Sequence, residues 1–219
     1  MKKFIFSSLL TMTLILTATT SFASPLRLGS RSYDVSDLQS RLKTKGYFNH
    51  SVTGYYGTIT KGAVEKFQSA NGLKVDGVAG HMTFNTLYNF PNKKLISYTD
   101  NDVYWLSRLI EAEAQGEGYI GKVAVGNCVV NRVLSKEYPN TVTGVIFDKK
   151  YGVQYQPVAN GRIYNTPSIS STQAAISALN GAKPVGNSMF FYNPQKSTSN
   201  WIKNNRQYFG TIGNHAFHI

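Results

Sequence analysis

The chain has 219 residues, 42% hydrophobic and 13% aromatic, enough for one large or two small globular cores. Its single cysteine, Cys128, excludes an internal disulfide framework. The formal net charge of +12 comes from cations dispersed along the chain, which fits an anionic wall polymer better than nucleic acid.

Residues 1–23 read as a secretory signal peptide: Lys2 and Lys3, an apolar run from Phe4 to Ala18, then Ser21-Phe22-Ala23 before the cut. Cleavage would remove the two lysines and take +12 to +10. No later segment is long and apolar enough to span a membrane. Export is the expectation.

Three short helical patterns follow between Leu28 and Tyr88. Asp34 is the expected cap of the first, with Val35, Leu38 and Leu42 on one face and Gly46 closing it. Thr60 is the expected cap of the second, over Ala63, Val64 and Phe67, and Thr83 opens the third, with Phe84 and Leu87. The four acids here, Asp34, Asp37, Glu65 and Asp76, suit caps, turns or a solvated face. The wording DVSDLQSRLKTKGY, GYYGTITKGAVEKFQSANGL and VDGVAGHMTFNTL resembles the peptidoglycan-binding domain type 1 family over nearly all of residues 24–90. The resemblance implies a three-helix fold that holds wall glycan or peptide, without chemistry.

Residues 91–99 read as a linker. In the next helix Val103, Leu106, Leu109 and Ile110 form an apolar stripe, and at 3.6 residues per turn Glu113 joins it while Glu111 points towards solvent. A carboxyl group on a core-facing stripe gains a raised pKa, which a general acid needs near neutral pH. An amphipathic helix with an acid at its edge would give the same pattern. Val123 to Leu134 is apolar all round and long enough for a buried helix. Asn127 and Asn131 share one face of it, to hold neighbouring backbone or to line a polar groove.

Pro139 to Gly144 is an expected turn, and VIFDKKYGVQYQPVANGRIYN suits a loop or short strands lining a cleft. Ala174 to Leu179 is a short helix stopped by Gly181. MFFYNP, Trp201 and GNHAFHI complete the chain. Aromatic rings beside amides suit sugar faces and acetamido groups, and equally a small core. The residues set out for substrate binding are Glu117, Asn131, Gln154, Tyr192, Asn193 and Trp201. Cys128 sits in an apolar run, where a lone thiol is a core residue rather than the nucleophile of a Cys128/His215 peptidase. His215 and His218 have no neighbouring ligands for a metal site, and no cofactor is expected.

The last 71 residues contain no acid. Asp100 and Asp102 are assigned to capping and Glu137 and Asp148 to turns, so no strong second carboxylate faces Glu113. A two-carboxylate glycosidase needs one. An acid-only mechanism, in which the substrate supplies its own nucleophile, is the expectation.

LIEAEAQGEGYIGKVAVGNCVVNRVLSKEYPNTVTGVIFD, with FFYNP and the closing GNHAF, resembles the SleB/CwlJ-type cell wall hydrolases, the spore cortex-lytic enzymes, over residues 100–219. The resemblance implies a mainly α chain, with the three-helix peptidoglycan-binding domain followed by an α+β catalytic domain similar to lysozyme and lytic transglycosylases. It places the catalytic role on Glu113, in the E-A-x-G-E motif. It implies lysis of spore cortex peptidoglycan during germination, at the wall or cortex of a secreting cell; an accessory germination protein is left open. A water-using muramidase or glucosaminidase of vegetative wall, and a non-catalytic wall-binding protein, are the rivals.

Overall fold

Three short helices come first: α1 Tyr33–Thr44, α2 Thr58–Ala70 and α3 His81–Leu87. The computed structural model describes residues 25–91, 95–150 and 152–219. The expected signal peptide lies outside the described residues. Val35, Leu38, Leu42, Val64, Phe67, Phe84 and Leu87 are buried together, as their helical spacing requires.

The caps are not those the sequence suggested. Ser32 caps α1, while Gly57 and Gly80 precede α2 and α3. Thr60 and Thr83 lie inside their helices as acceptors for two buried glutamines. The Gln39 amide donates to Thr60 Oγ1 (2.9 Å) and the Tyr55 carbonyl (2.9 Å), and its oxygen accepts from the backbone of Thr53 and Gly54. Gln68 repeats this with Thr83 Oγ1 (3.2 Å), the Val78 carbonyl (3.0 Å) and the amides of Asp76 and Gly77. One carboxamide thus satisfies a whole turn and ties it to the next helix.

The second half is built on α4 Asp100–Ala114, α5 Tyr119–Leu134 and α8 Ile169–Leu179, which pack on one another. Thr99 caps α4 in a reciprocal box with Asp102. At Gly126 an added Cβ would meet Ala178 Cβ at 2.9 Å and Ile110 Cδ1 at 3.0 Å, so a glycine is what lets the three helices meet there. Between α5 and α8 lie α6 Val142–Ile146, α7 Gln156–Ala159 and a 3-10 turn, Arg162–Tyr164. The last residues of the expected turn open α6, and the segment expected as a loop or short strands is a loop carrying two short helical turns, without a strand among its described residues. α8 begins five residues before the expected Ala174. β1 Phe190–Tyr192, α9 Trp201–Asn205, β2 Tyr208–Ile212 and β3 His215–His218 close the chain; the antiparallel sheet has the order β1-β3-β2 and lies on α5.

The two halves share one apolar core. The Tyr119 ring lies 4.6 Å from Phe84 and 5.0 Å from Tyr88. Buried Lys122 on α5 meets Asp34 on α1 at 3.2 Å and Ser170 on α8 at 2.8 Å. Asp37 accepts from the Tyr119 N–H (3.0 Å) and the Tyr88 hydroxyl (2.8 Å), so an acid of the first half serves the free N-terminal amide of α5. Asp34 and Asp37 are therefore packing residues between the halves rather than a cap and a solvated acid. Leu95 donates its N–H to the Leu179 carbonyl at 3.1 Å, so the segment read as a linker is docked at that point.

Candidate active site

Glu113 is the penultimate residue of α4. Its stripe, Val103, Leu106, Leu109 and Ile110, is buried, and Glu113 itself is partly buried. No hydrogen bond or ion pair engages its carboxyl group among the described residues. Burial raises its pKa to about 7, against an opposing pull from Arg162, whose guanidinium donates to the neighbouring Ala112 carbonyl at 2.8 Å. A partly buried carboxyl group near a helix end, with a pKa about 7 and no partner among the described residues, is equipped to give up and take back a proton.

The flanking glutamates are different. Glu111 does not face solvent: it is 7% exposed. Its Oε2 accepts from the Ser168 N–H (2.9 Å), the Ser168 hydroxyl (2.6 Å) and the Ser171 hydroxyl (2.7 Å) at the start of α8. Those bonds outweigh desolvation and hold its pKa below the usual range. One apolar stripe could not reveal this, because α4 is covered on more than one side and the row Ser107, Glu111, Ala114 is buried too.

Glu117 is also withdrawn, at 6% exposure. Its two oxygens accept from the Asn214 backbone N–H (3.1 Å) and side-chain amide (2.9 Å), and His215 Nδ1 lies 3.5 Å away. A Cβ on Gly213 would collide with Glu117 Oε2. Glu117 thus anchors the β2–β3 turn and offers no free group to substrate. Asn131 is likewise corrected: its amide donates to the carbonyls of Gly186 (2.9 Å) and Ser188 (2.8 Å), and Asn127 Oδ1 accepts from Val185 N–H. The two amides hold the segment that leads into β1.

Gln154 and Trp201 do meet. They line one groove of about 720 Å³ with Glu137, Tyr138, Asp148, Lys150, Phe190 and Arg206. Tyr192 and Asn193 are not among its walls; Asn193 Oδ1 accepts from Gln195 N–H in the turn after β1. The groove's inner side is an aromatic cluster around Arg132, whose guanidinium lies 5.0 Å from the Tyr138 ring, 5.2 Å from Phe190 and 5.4 Å from Tyr155. Tyr155 is buried, and among the described residues its hydroxyl has no hydrogen-bond partner. Burial raises its pKa, Arg132 opposes, and the charges of Cys128 and Glu113 add to the rise. Tyr155 and Arg132 thus pack behind Tyr138 and Phe190 of the groove, with Tyr155 near enough to Glu113 to feel its charge. Sequence reasoning missed both, since each reads as an ordinary residue of its segment until the chain folds.

Cys128 is fully buried and its thiol is pushed up to about 12, so it is no nucleophile. Among the described residues no group of three His, Cys, Asp or Glu side chains is placed to hold a metal ion.

The sequence pattern of the Putative peptidoglycan binding domain family matches residues 31–87, and that of the Cell Wall Hydrolase family matches residues 116–218, starting just after Glu113. The catalytic domain of the germination-specific lytic transglycosylase SleB from Bacillus anthracis is 39% identical with a TM-score of 0.52, covering 56% of this chain and 98% of that one. A spore cortex-lytic enzyme of Oceanobacillus iheyensis is 29% identical over 88% of this chain and 86% of its own. One from Bacillus cereus is 34% identical over 88% of this chain and 85% of its own. That kinship runs through both halves and in the same order, and by it the chain belongs to the spore cortex-lytic enzyme family.

Proposed function

We propose that the protein is an exported lytic transglycosylase of spore cortex peptidoglycan, with residues 24–90 holding the wall and residues 100–219 cutting it. The observation that carries this reading is Glu113, a carboxyl group raised to about 7 with no hydrogen-bond or ion-pair partner among the described residues. Glu113 protonates the oxygen between N-acetylmuramic acid C1 and N-acetylglucosamine, and the C1–O bond breaks. The acetamido carbonyl steadies the cation at C1. Glu113, now a carboxylate, removes the proton of the muramyl 6-hydroxyl, whose oxygen bonds to C1. The proton given first is regained last and no water is consumed, leaving a 1,6-anhydromuramyl end. Gln154, Trp201 and the aromatic wall beside them take the sugar faces and amides of the strand.

Mass spectrometry of cortex digested by the mature chain tests this. Anhydromuramyl ends are expected from the wild type, with release lowered by about 10²-fold or more in Glu113→Gln. Reducing ends would point instead to a water-using muramidase or glucosaminidase, and unchanged release by a folded Glu113→Gln chain would sink the single-glutamate mechanism.

A further inference from the structure

Two acids of the first half bracket the Glu113 segment. Asp34 and Asp37 stand three residues apart on α1 and so share one face of that helix. Asp37 reaches the far flank of the segment directly, accepting from the Tyr119 N–H at 3.0 Å. That N–H belongs to the first turn of α5 and has no acceptor within its own helix. Asp34 reaches the near flank through a buried chain of polar groups. Its Oδ1 accepts from Lys122 Nζ at 3.2 Å, and the same ammonium group donates to Ser170 Oγ at 2.8 Å and to Ser168 Oγ at 3.5 Å. These bonds use all three N–H donors of Lys122 and fix it in place. The Ser168 hydroxyl in turn donates to Glu111 Oε2 at 2.6 Å. Glu111 lies on the last turn of α4, two residues before Glu113. The bonds thus run from α1 to α5, from α5 to α8 and from α8 to the end of the helix that carries the acid.

We infer that the peptidoglycan-binding half is a positioning element of the active site, with Asp34 and Asp37 holding the two flanks of residues 111–119 so that the Glu113 carboxyl group keeps its place. The inference rests on the reading of Glu113 as the acid and adds to it two residues from outside the half that cuts. α4 ends at Ala114 and α5 begins at Tyr119, so a shift at either helix end is passed to Glu113 through a very short connection. Charge-assisted bonds are the stronger ones and need defined geometry, which suits them to fixing a helix end. Both acids act through the backbone and side chains they hold and not on the sugar, so their loss is felt in turnover and not in substrate affinity. A misplacement of about 1 Å caused far from the chemistry can cost about 10²-fold in rate.

Steady-state cleavage of soluble glycan strands by the full chain tests this, with sacculus co-sedimentation and thermal melts measured alongside. Asp37→Ala is expected to lower kcat about tenfold, with KM and sacculus binding unchanged. Asp37→Asn, whose side-chain oxygen can still accept from Tyr119, is expected to restore most of that loss. The neutral double variant, Lys122→Met with Asp34→Asn, is expected to lose kcat to a similar degree although it strands no charge. Val64→Ala opens a cavity on α2, outside this chain of bonds, and is expected to melt lower with kcat unchanged. A kcat within about twofold of wild type in the folded Asp37→Ala chain or in the folded double variant would overturn the inference. So would an equal loss of kcat in Val64→Ala, since lowered stability alone would then account for it. The comparison counts turnover whichever end the product carries, and Glu113→Gln tests the acid separately, so failure of one reading is told apart from failure of the other.

Discussion

Replacing Lys122 with methionine keeps the length of the side chain and deletes its charge. Lys122 is 2% exposed and its ammonium group joins α1, α5 and α8 through Asp34 and Ser170. Asp34, 8% exposed, would then keep a charge with no counterion in a site that water barely reaches. Removing one partner of a buried pair costs about 3–5 kcal/mol. Against a total stability on the order of 5–15 kcal/mol, that is a large share, and for a chain of this size it corresponds to a fall of roughly 10 °C in Tm. Removing both charges, as in Lys122→Met with Asp34→Asn, leaves no stranded ion and should recover much of the loss. The two substitutions are therefore expected to be strongly non-additive in guanidinium denaturation at neutral pH. Because the pair sits between the halves, Lys122→Met should also split unfolding into two transitions. A single variant within about 0.5 kcal/mol of wild type, or a double variant that loses the sum of both singles, would refute the view that this pair couples the halves.

The two glutamates of α4 should respond to pH in opposite ways. The Glu113 pKa rises from 4.5 to about 7, so wild type holds a proton that the unfolded chain has lost, and stability falls as pH rises across that window, by at most about 3 kcal/mol. Glu113→Gln should thus melt higher than wild type at pH about 8, with the advantage gone near pH about 4.5, and wild-type activity should decline as pH rises through about 7. The Glu111 pKa is lowered, so its contribution is present above 4.5 and lost as pH falls through the folded value. Glu111→Ala should therefore destabilise at neutral pH, leaving three donors unmet at about 1 kcal/mol each, and should flatten the acid loss seen for wild type in thermal melts. Gly126→Val would drive a branched side chain into Ala178 and Ile110, and its chemical denaturation midpoint should fall by the equivalent of about 1–3 kcal/mol or more. Co-sedimentation with sacculi should weaken between roughly 50 mM and 1 M salt, since a basic chain on an anionic wall is screened; salt-independent pelleting would mean that pocket contacts dominate.

The order of helices, the buried stripes and the peptidoglycan-binding and hydrolase resemblances were legible in the chain, because helical period and family wording are local properties. So was the place of Glu113 beside a buried stripe, because that stripe is complete in sequence. The fates of Asp34, Asp37, Glu111 and Glu117 were not. Each is an acid whose partner lies 82, 57, 97 or 88 positions away: Asp37 with Tyr119, Glu111 with Ser168, Glu117 with Asn214 and Asp34 with Lys122. A helical wheel ranks the faces of an isolated helix, but α4 is covered by several neighbours, so only packing decides which of its polar residues are buried. Composition gave the same letters for the groove acids Glu137 and Asp148 as for any turn. It took the meeting of α6, α9 and β1 to put them on one wall with Arg206 and Trp201, because proximity between distant segments is set by tertiary packing and not by local sequence.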